Sequence, residues 1–405
     1  MVVHLHGRIR MNGWNNNMYK RIIWMLLMLL ALLGVGAAWA EEAQDVTAQC
    51  ALSASVNQGS VRNVCAEKID RCWDGMADGT LTVRLPAGKM AQGVSLSFFC
   101  DVPHLVVCDA DGTLLADWNE PYYNAWIPFS RPSAEFTIRR AEKGEMVISR
   151  MQVMTPGELP GWVQRWSTLE GDAELLLIAT HPDDDILWFG GLLPTYAGER
   201  RMKVQVAYMV GGLNRIRRIE LLNALWHCGV RYYPEIGRFE DWGSASMITA
   251  YEAWGGENAV DLHITRLLRK WNPRVVVTQD LKGEYGHNHH QITTKAVAKA
   301  VTALCQDAAY DASSAELWGV ADPQKLYIHL YENNQVEYDW EQPLSAFDGK
   351  DGLTIAREAF LFHVSQQTGR YHVSVRNAYN CALFGLYYTQ VGPDVIGEDL
   401  FENIP

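Results

Sequence analysis

The sequence predicts an α/β fold, a Rossmann-like, mainly parallel sheet with helices on both faces, preceded by a small β-sandwich-like domain. Three observations lead there. From Glu174 onward, apolar runs of strand length alternate with helical stretches. Before residue 155 the chain reads instead as short alternating segments between turn signals. At 405 residues it is too long for one ordinary core, so two domains are the default. A hydrophobic content of 48% with 15 Trp and 17 Tyr excludes a disordered chain.

The first element is residues 1–40. Lys20-Arg21 precede an apolar stretch from Ile22 to Ala38, and Ala38-Trp39-Ala40 stands before Glu41-Glu42, the pattern of a signal peptide with its cleavage site. Met18 precedes the basic pair, so the residues ahead of it read as an N-terminal extension. A secreted or cell-surface, extracytoplasmic protein is expected. The rival reading is an uncleaved anchor, for which 17 apolar residues lie at the short limit; contact with a membrane is expected only in that case. Residues 1–40 carry four basic and no acidic residues, so without them 31 basic face 47 acidic residues and the formal charge is −16. Such a surface disfavours nucleic acid or anionic lipid as a partner. Five cysteines, Cys50, Cys65, Cys72, Cys100 and Cys108, follow closely, a density suited to disulfides in an oxidising compartment. Cys228 and Cys305 sit in helical patterns as buried thiols.

Residues 46–155 form the β-rich accessory domain. Leu81–Leu85, Val94–Phe99, Leu105–Val107, Glu135–Ile138 and Met146–Ile148 are strand-like, with turns at Pro86-Ala87-Gly88, Asp111-Gly112 and Lys143-Gly144-Glu145 between them. Trp73, Trp118, Tyr122, Tyr123 and Trp126 suit either stacking on sugar rings or filling a core or domain interface, and burial is the favoured use.

Residues 170–405 form the second domain with a C-terminal extension. Leu175–Ala179, Val204–Val210, Val275–Thr278 and Lys325–Tyr331 read as strands. Helices are expected at about 187–199, at 217–228 with Gly229 as C-cap, before Val275, at 289–305 and around 355–365.

Two polar clusters follow two of these strands, His181-Pro182-Asp183-Asp184-Asp185 and Tyr285-Gly286-His287-Asn288-His289-His290. Ligands in open parallel sheets bind beyond the strand C-termini, where both clusters fall. The three-residue steps His181/Asp184 and His287/His290 bring side chains to neighbouring faces. One pair would supply a nitrogen and an oxygen to a metal, the other a second nitrogen, leaving a position for water as in catalytic zinc sites. Asp183, beside a ligand but pointing elsewhere, would take a proton, and His287, if not a ligand, would polarise a carbonyl. A turn-rich loop is the plain alternative for the first cluster alone, and His289 is the rival of His290 as ligand.

These residues resemble the PIG-L or LmbE-like family of metal-dependent de-N-acetylases, whose motifs read Ala-His-Pro-Asp-Asp-Glu and Gly-His-x-x-His. The similarity runs from about Glu174 to Gln367 and includes Arg217/Glu220, like the family's Arg-x-x-Glu helix, and His363-Val364-Ser365-Gln366, like its late His-x-x-Gln element. Thr180 replaces the usual Ala and Asp185 the usual Glu. The resemblance implies His181, Asp184 and His290 as metal ligands, Asp183 as general base, and His287 with Tyr285 stabilising the tetrahedral intermediate. It implies Arg217 as a substrate-holding residue; Asp241, after a strand, is a further candidate to contact sugar hydroxyls. The neighbouring Arg215 and Arg218 equally suit a solvated helix face. The expected cofactor is Zn2+, with Fe2+ accepted by the same donors. The expected function is removal of an N-acetyl group from an N-acetylhexosamine in a glycan or glycoconjugate, by water activated at the metal. Two alternatives stand beside it: a carbohydrate-binding protein without turnover on a hydrolase-like fold, and an amidase acting on a different amide. The oligomeric state is not legible.

Overall fold

The computed structural model describes residues 41–66 and 68–405. The expected signal segment, residues 1–40, lies outside the described residues. No helix among the described residues is long and apolar enough to cross a membrane.

The N-terminal region folds as two antiparallel sheets. One has the order β1 (Ala51–Ala54), β3 (Thr80–Arg84), β8 (Glu135–Arg140), β5 (Leu105–Asp109), β6 (Leu114–Trp118). The other has the order β2 (Trp73–Asp74), β9 (Val147–Met154), β4 (Ala91–Phe98), β7 (Asn124–Ser133). Alternation along β3 and β5 sends every second side chain inward, and Leu81, Val83 and Ile138 of the first sheet share one core with Val94, Leu96 and Ile148 of the second. Trp73, Tyr122 and Trp126 are buried. Tyr122 packs on Tyr233 of the second region with ring centroids 4.7 Å apart.

That second region is built on a seven-stranded sheet. Its strands are β10 (Leu175–Ala179), β11 (Val204–Val210), β12 (Glu235–Phe239), β13 (Val275–Thr278), β14 (Lys325–His329), β15 (Gln335–Glu337) and β16 (Leu383–Thr389). They lie in the order β12-β11-β10-β13-β14-β16-β15, the first five parallel and β16 antiparallel to both of its neighbours, β14 and β15. The helices are α1 (Asp184–Leu187), α2 (Arg215–His227), α3 (Met247–Ala253), α4 (Glu257–Trp271), α5 (Asn288–Lys299), α6 (Ala312–Trp318) and α7 (Gly352–Phe360). Leu175 and Leu177 of β10 face a cluster with Leu221 of α2 and Ala356 of α7. Leu176 and Ile178 face the opposite one, with Ile264 of α4 and Ile292 of α5. Helices on both faces explain why β10 and β11 are buried at every position and read as apolar runs, interrupted only by Gln205.

Four expectations need correction. The helix expected at 187–199 is broken: α1 ends at Leu187, Gly190 takes φ +50, and a π-type turn spans Pro194–Glu199. A Cβ at Gly190 would meet Cys381 Sγ at 2.6 Å, and one at Gly191 would meet Trp340, so the glycine pair lets the C-terminal segment approach. The last helix ends at Phe360, where the chain turns to present His363. All eight cysteines are free. Cys50 and Cys305 instead set their thiols 3.4 Å from the carbonyls of Val46 and Ala321. Of the helix α2 arginines only Arg215 lies on a solvated face, because Arg217 and Arg218 are buried. Arg218 lies 3.6 Å over the Tyr123 ring and helps dock the two regions.

The C-terminal tail is fastened to β14 by a buried pair. Lys325 Nζ donates to Asp394 and to Tyr327 Oη, whose hydroxyl in turn donates to Asp394 at 2.5 Å. Neither Lys325 nor Asp394 has an exposed side-chain surface. Asp394→Ala would leave the ammonium buried and unpaired, and a loss of about 3–5 kcal/mol in unfolding free energy is expected from urea denaturation.

Candidate active site

Five parallel strands deliver polar groups to one edge of the sheet. His181 follows β10, Arg217 lies on the helix after β11, Asp241 follows β12, Glu284 to His290 follow β13, and His329 ends β14. Convergence at strand C-termini is a property of parallel sheets, in which every strand ends on the same side.

His181 Nδ1, Asp184 Oδ2 and His290 Nε2 form a triangle with edges of 3.1, 3.3 and 3.1 Å. Metal–nitrogen bonds of about 2.0–2.1 Å at a tetrahedral centre put neighbouring donors roughly 3.3 Å apart, so the triangle fits a small divalent cation. The other atoms of each ligand are held by the protein. His290 Nδ1–H donates to Glu284 Oε2 at 2.7 Å, which leaves Nε2 as a bare lone pair. His181 Nε2 lies 3.3 Å from Asp241 Oδ1, off-line for a hydrogen bond but close enough for an ion contact. Asp184 Oδ2 accepts from the His181 backbone N–H at 2.6 Å, and its Oδ1 accepts from Trp188 Nε1 at 2.8 Å.

A second grouping, His181, His287 and His289, also brings one donor atom from each within 4.8 Å. It lacks a carboxylate, and His287 Nδ1 and both nitrogens of His289 are buried without a hydrogen-bond partner. His289 stacks on Trp254, ring centroids 4.6 Å apart. The first triangle is therefore the better cation site.

Charge dominates here because the groups are buried. Burial pulls the His181 imidazole down, but the Asp184 and Asp241 carboxylates outweigh it and push it up to about 9. Burial would also raise Asp184, yet His290 and His181 hold it well below the usual carboxylate range. Asp183 goes the other way, raised by burial against the pull of Arg217. His287 is pushed down to about 3, first by burial and then by the His181 and His290 rings, and is neutral.

Asp183 has φ +114, a conformation that costs energy outside glycine and persists only where neighbours enforce it. Arg217 Nη2 donates to Asp183 Oδ1 at 2.7 Å and also to the Pro182 carbonyl, and Asp185 Oδ1 accepts the Asp183 N–H at 3.2 Å. The shorter Asp185 side chain is thus a backbone brace, fully buried, with burial pushing its carboxyl up to about 7. Thr180, the other departure from the family pattern, donates to Thr293 Oγ1 at 3.0 Å. Arg217 Nη1 reaches Asp241 Oδ2 at 3.1 Å, so both residues expected at the substrate are tied to Asp183 and to His181. Tyr285, at φ +48, stacks on Tyr371 and lies edge-on to His287. Glu220 accepts from Ser365 N at 2.8 Å and Oγ at 2.5 Å, joining the Arg-x-x-Glu helix to the late His-x-x-Gln element.

A family model described as PIG-L, GlcNAc-PI de-N-acetylase, matches residues 176–301. The 1D-myo-inositol 2-acetamido-2-deoxy-alpha-D-glucopyranoside deacetylase of Rhodococcus opacus (strain B4) is 32% identical over 241 residues, covering 49% of this chain and 82% of that protein. The chain belongs to the PIG-L family. The deacetylase of the same description from Rhodococcus jostii (strain RHA1) is 26% identical over 241 residues, with the same coverage of 49% and 82%. Among solved structures, N,N'-diacetylchitobiose deacetylase from Pyrococcus horikoshii is similar at 19% identity, covering 48% of this chain and 71% of that one at a TM-score of 0.35.

Three residues of the PIG-L domain's site escaped the sequence reading. Glu284 is wholly buried and accepts from two imidazoles, His290 Nδ1 and His329 Nδ1, each at 2.7 Å. His329, read from sequence as an ordinary residue, closes the chain by donating Nε2–H to the Asn380 carbonyl at 3.0 Å. Trp188 is the third. A polar residue ending an apolar strand, the signal that flagged His181, would have flagged His329; Glu284, between such a strand and a histidine cluster, carried a weaker form of it.

Two outcomes follow from this geometry. Without a bound ion His181 keeps its proton up to about pH 9, and an incoming cation must displace it. Zinc affinity of the metal-stripped protein should therefore rise about tenfold per pH unit from pH 7 and level off near pH 9, as measured by competition with a chromophoric chelator. Glu284→Ala should weaken zinc binding about 10–100-fold at pH 7 in the same titration.

Proposed function

We propose that this chain is a metal-dependent N-deacetylase that removes the acetyl group from an N-acetylhexosamine in a glycan or glycoconjugate. The observation that carries the reading is the His181/Asp184/His290 triangle with Asp183 held beside it by Arg217. Family membership and relatives described as deacetylases of an acetamido sugar support it. Zinc fits the two nitrogens and one oxygen, and iron(II) is the alternative. When bound, the metal supplies Lewis acidity that acidifies a water and polarises the acetyl carbonyl.

The remaining steps fall to side chains. Arg217 occupies Asp183 Oδ1, which leaves Oδ2 to accept the proton of the attacking water. Burial keeps Asp183 basic enough to hold that proton and then pass it to the departing amine. His287, neutral and without a partner at Nδ1, is free to donate a hydrogen bond to the oxyanion. Tyr285, whose hydroxyl burial keeps protonated, is placed to assist. Arg217 and Asp241 also face the substrate cleft, where Asp241 keeps 44% of its side chain exposed for sugar hydroxyls. The two N-terminal sheets are assigned as a sandwich-like accessory domain, and the composition of residues 1–40 supports export, which N-terminal sequencing of the mature protein would test.

Acetate and free amine should appear when the protein is incubated with a panel of N-acetylated sugars and cell-wall fragments, and a chelator should abolish both. Asp183→Asn should lose about 10²–10⁴-fold in kcat while retaining its metal. Full activity in that variant would remove Asp183 as the base.

A further inference from the structure

Beside the metal triangle the two regions of the chain border an open cavity of about 470 Å³. Its inner wall is Pro182, Arg217 and Asp241, the residues already touching Asp183 and His181. Its outer wall is apolar and aromatic. Leu213 and Trp242 are 48% and 61% exposed, and Phe99 is contributed by the segment after β4 of the N-terminal region.

This wall is preorganised. Asp101, two residues from Phe99, accepts from Arg238 at 3.3 Å and from Tyr123 Oη at 3.0 Å. The Tyr123 N–H donates to Tyr233 Oη at 3.0 Å, and Arg218 covers the Tyr123 ring. Asn124 donates to Gln164 Oε1 at 3.0 Å and to Asn223 Oδ1 at 3.3 Å. Phe99 therefore meets the cavity from a docked surface.

Size, polarity and charge narrow the ligand. A volume near 470 Å³ lies in the range of about 300–1,000 Å³ typical of small-molecule sites. A large exposed aromatic beside a carboxylate suits a ring that is apolar on its face and hydroxylated at its edge. The charged lining, Arg215 and Arg217 against Glu240 and Asp241, is balanced, and both arginines already have acidic partners, Arg215 with Glu145 at 3.6 Å and Arg217 with Asp183 and Asp241. The lining therefore carries no net charge, which favours an uncharged ring over a phosphate.

We infer that the cavity is a second sugar subsite, built jointly by Phe99, Leu213 and Trp242, which holds a neutral pyranose linked to the N-acetylated one. The N-terminal region is then part of the substrate site, and the substrate is at least a disaccharide with an uncharged neighbour to the reacting sugar. This deepens the deacetylase reading and rests on it.

The test is calorimetric binding to the full chain carrying Asp183→Asn and supplied with zinc. Three probes are used: N-acetylglucosamine, N,N'-diacetylchitobiose and N-acetylglucosamine 1-phosphate. The disaccharide should bind at least tenfold tighter than the monosaccharide, and the phosphate no tighter than the monosaccharide. Trp242→Ala, a change at an exposed side chain, should bring the disaccharide-to-monosaccharide affinity ratio to within about threefold of unity, and Phe99→Ala should do the same. Equal affinity for the two sugars, an unchanged ratio in both variants, or tighter binding of the phosphate would overturn the subsite, even where the wild-type protein releases acetate. If no sugar binds and the wild type releases no acetate from any substrate, the deacetylase reading falls and the subsite falls with it.

Discussion

The carboxylate of Glu284, buried to zero exposure, is the interaction on which the site is organised. Burial alone would raise it towards neutrality, but hydrogen bonds from His290 and His329 hold it well below its usual range. Its two oxygens tie together consecutive strands of the sheet, since His290 begins the helix after β13 and His329 ends β14. Asp280 N–H also donates to it at 3.0 Å, closing the loop that carries Tyr285 and His287. A charge in this position is stable only if fully partnered, and satisfying it determines which nitrogen of His290 is free. Both ring nitrogens of His329 face oxygen acceptors, so its ring is fixed from both sides.

Across the cleft a second electrostatic balance governs Asp183. Arg217 is nearly buried and spends its guanidinium on Asp183, Asp241 and the Pro182 carbonyl. One arginine thus sets the orientation of the Asp183 carboxylate, sustains its positive φ and links it to the carboxylate that faces His181. Asp183 and Asp184 are adjacent in sequence yet are pushed in opposite directions, one up and one down. Divergent environments for neighbouring carboxylates are how a site separates a base from a ligand.

The N-terminal sheets matter to this chemistry through the docking surface. Tyr122, Tyr233, Trp166 and Trp226 form a chain of ring contacts between 4.7 and 5.6 Å, and Arg218 adds a cation over Tyr123. Aromatic residues whose composition also suited a sugar-stacking platform are largely consumed in this interface and in the core. The aromatic side chains left at the cavity are Phe99 of the N-terminal region and Phe239 and Trp242 of the second.

Sequence by itself determined the alternation of strand and helix after Glu174, the spans of β10, β11 and β13, and the two clusters that the structure brings together. It could do so because burial on both faces of a parallel sheet writes long apolar runs, and because ligand spacing of three residues is local. Residues 1–40 lie outside the described structure, so their signal-like pattern stays a sequence observation. Tertiary structure alone decided the rest. The break at Gly190 depends on Cys381, which arrives from almost two hundred residues away. Strand β15 has only three residues and β16 is partly exposed, so they leave little pattern. Glu284, His329 and Trp188 take part in the site only through contacts across strands, and Phe99 meets the cavity only because two separately folded sheets dock. Periodicity records which face of an element is buried; it does not record which distant group lies against that face.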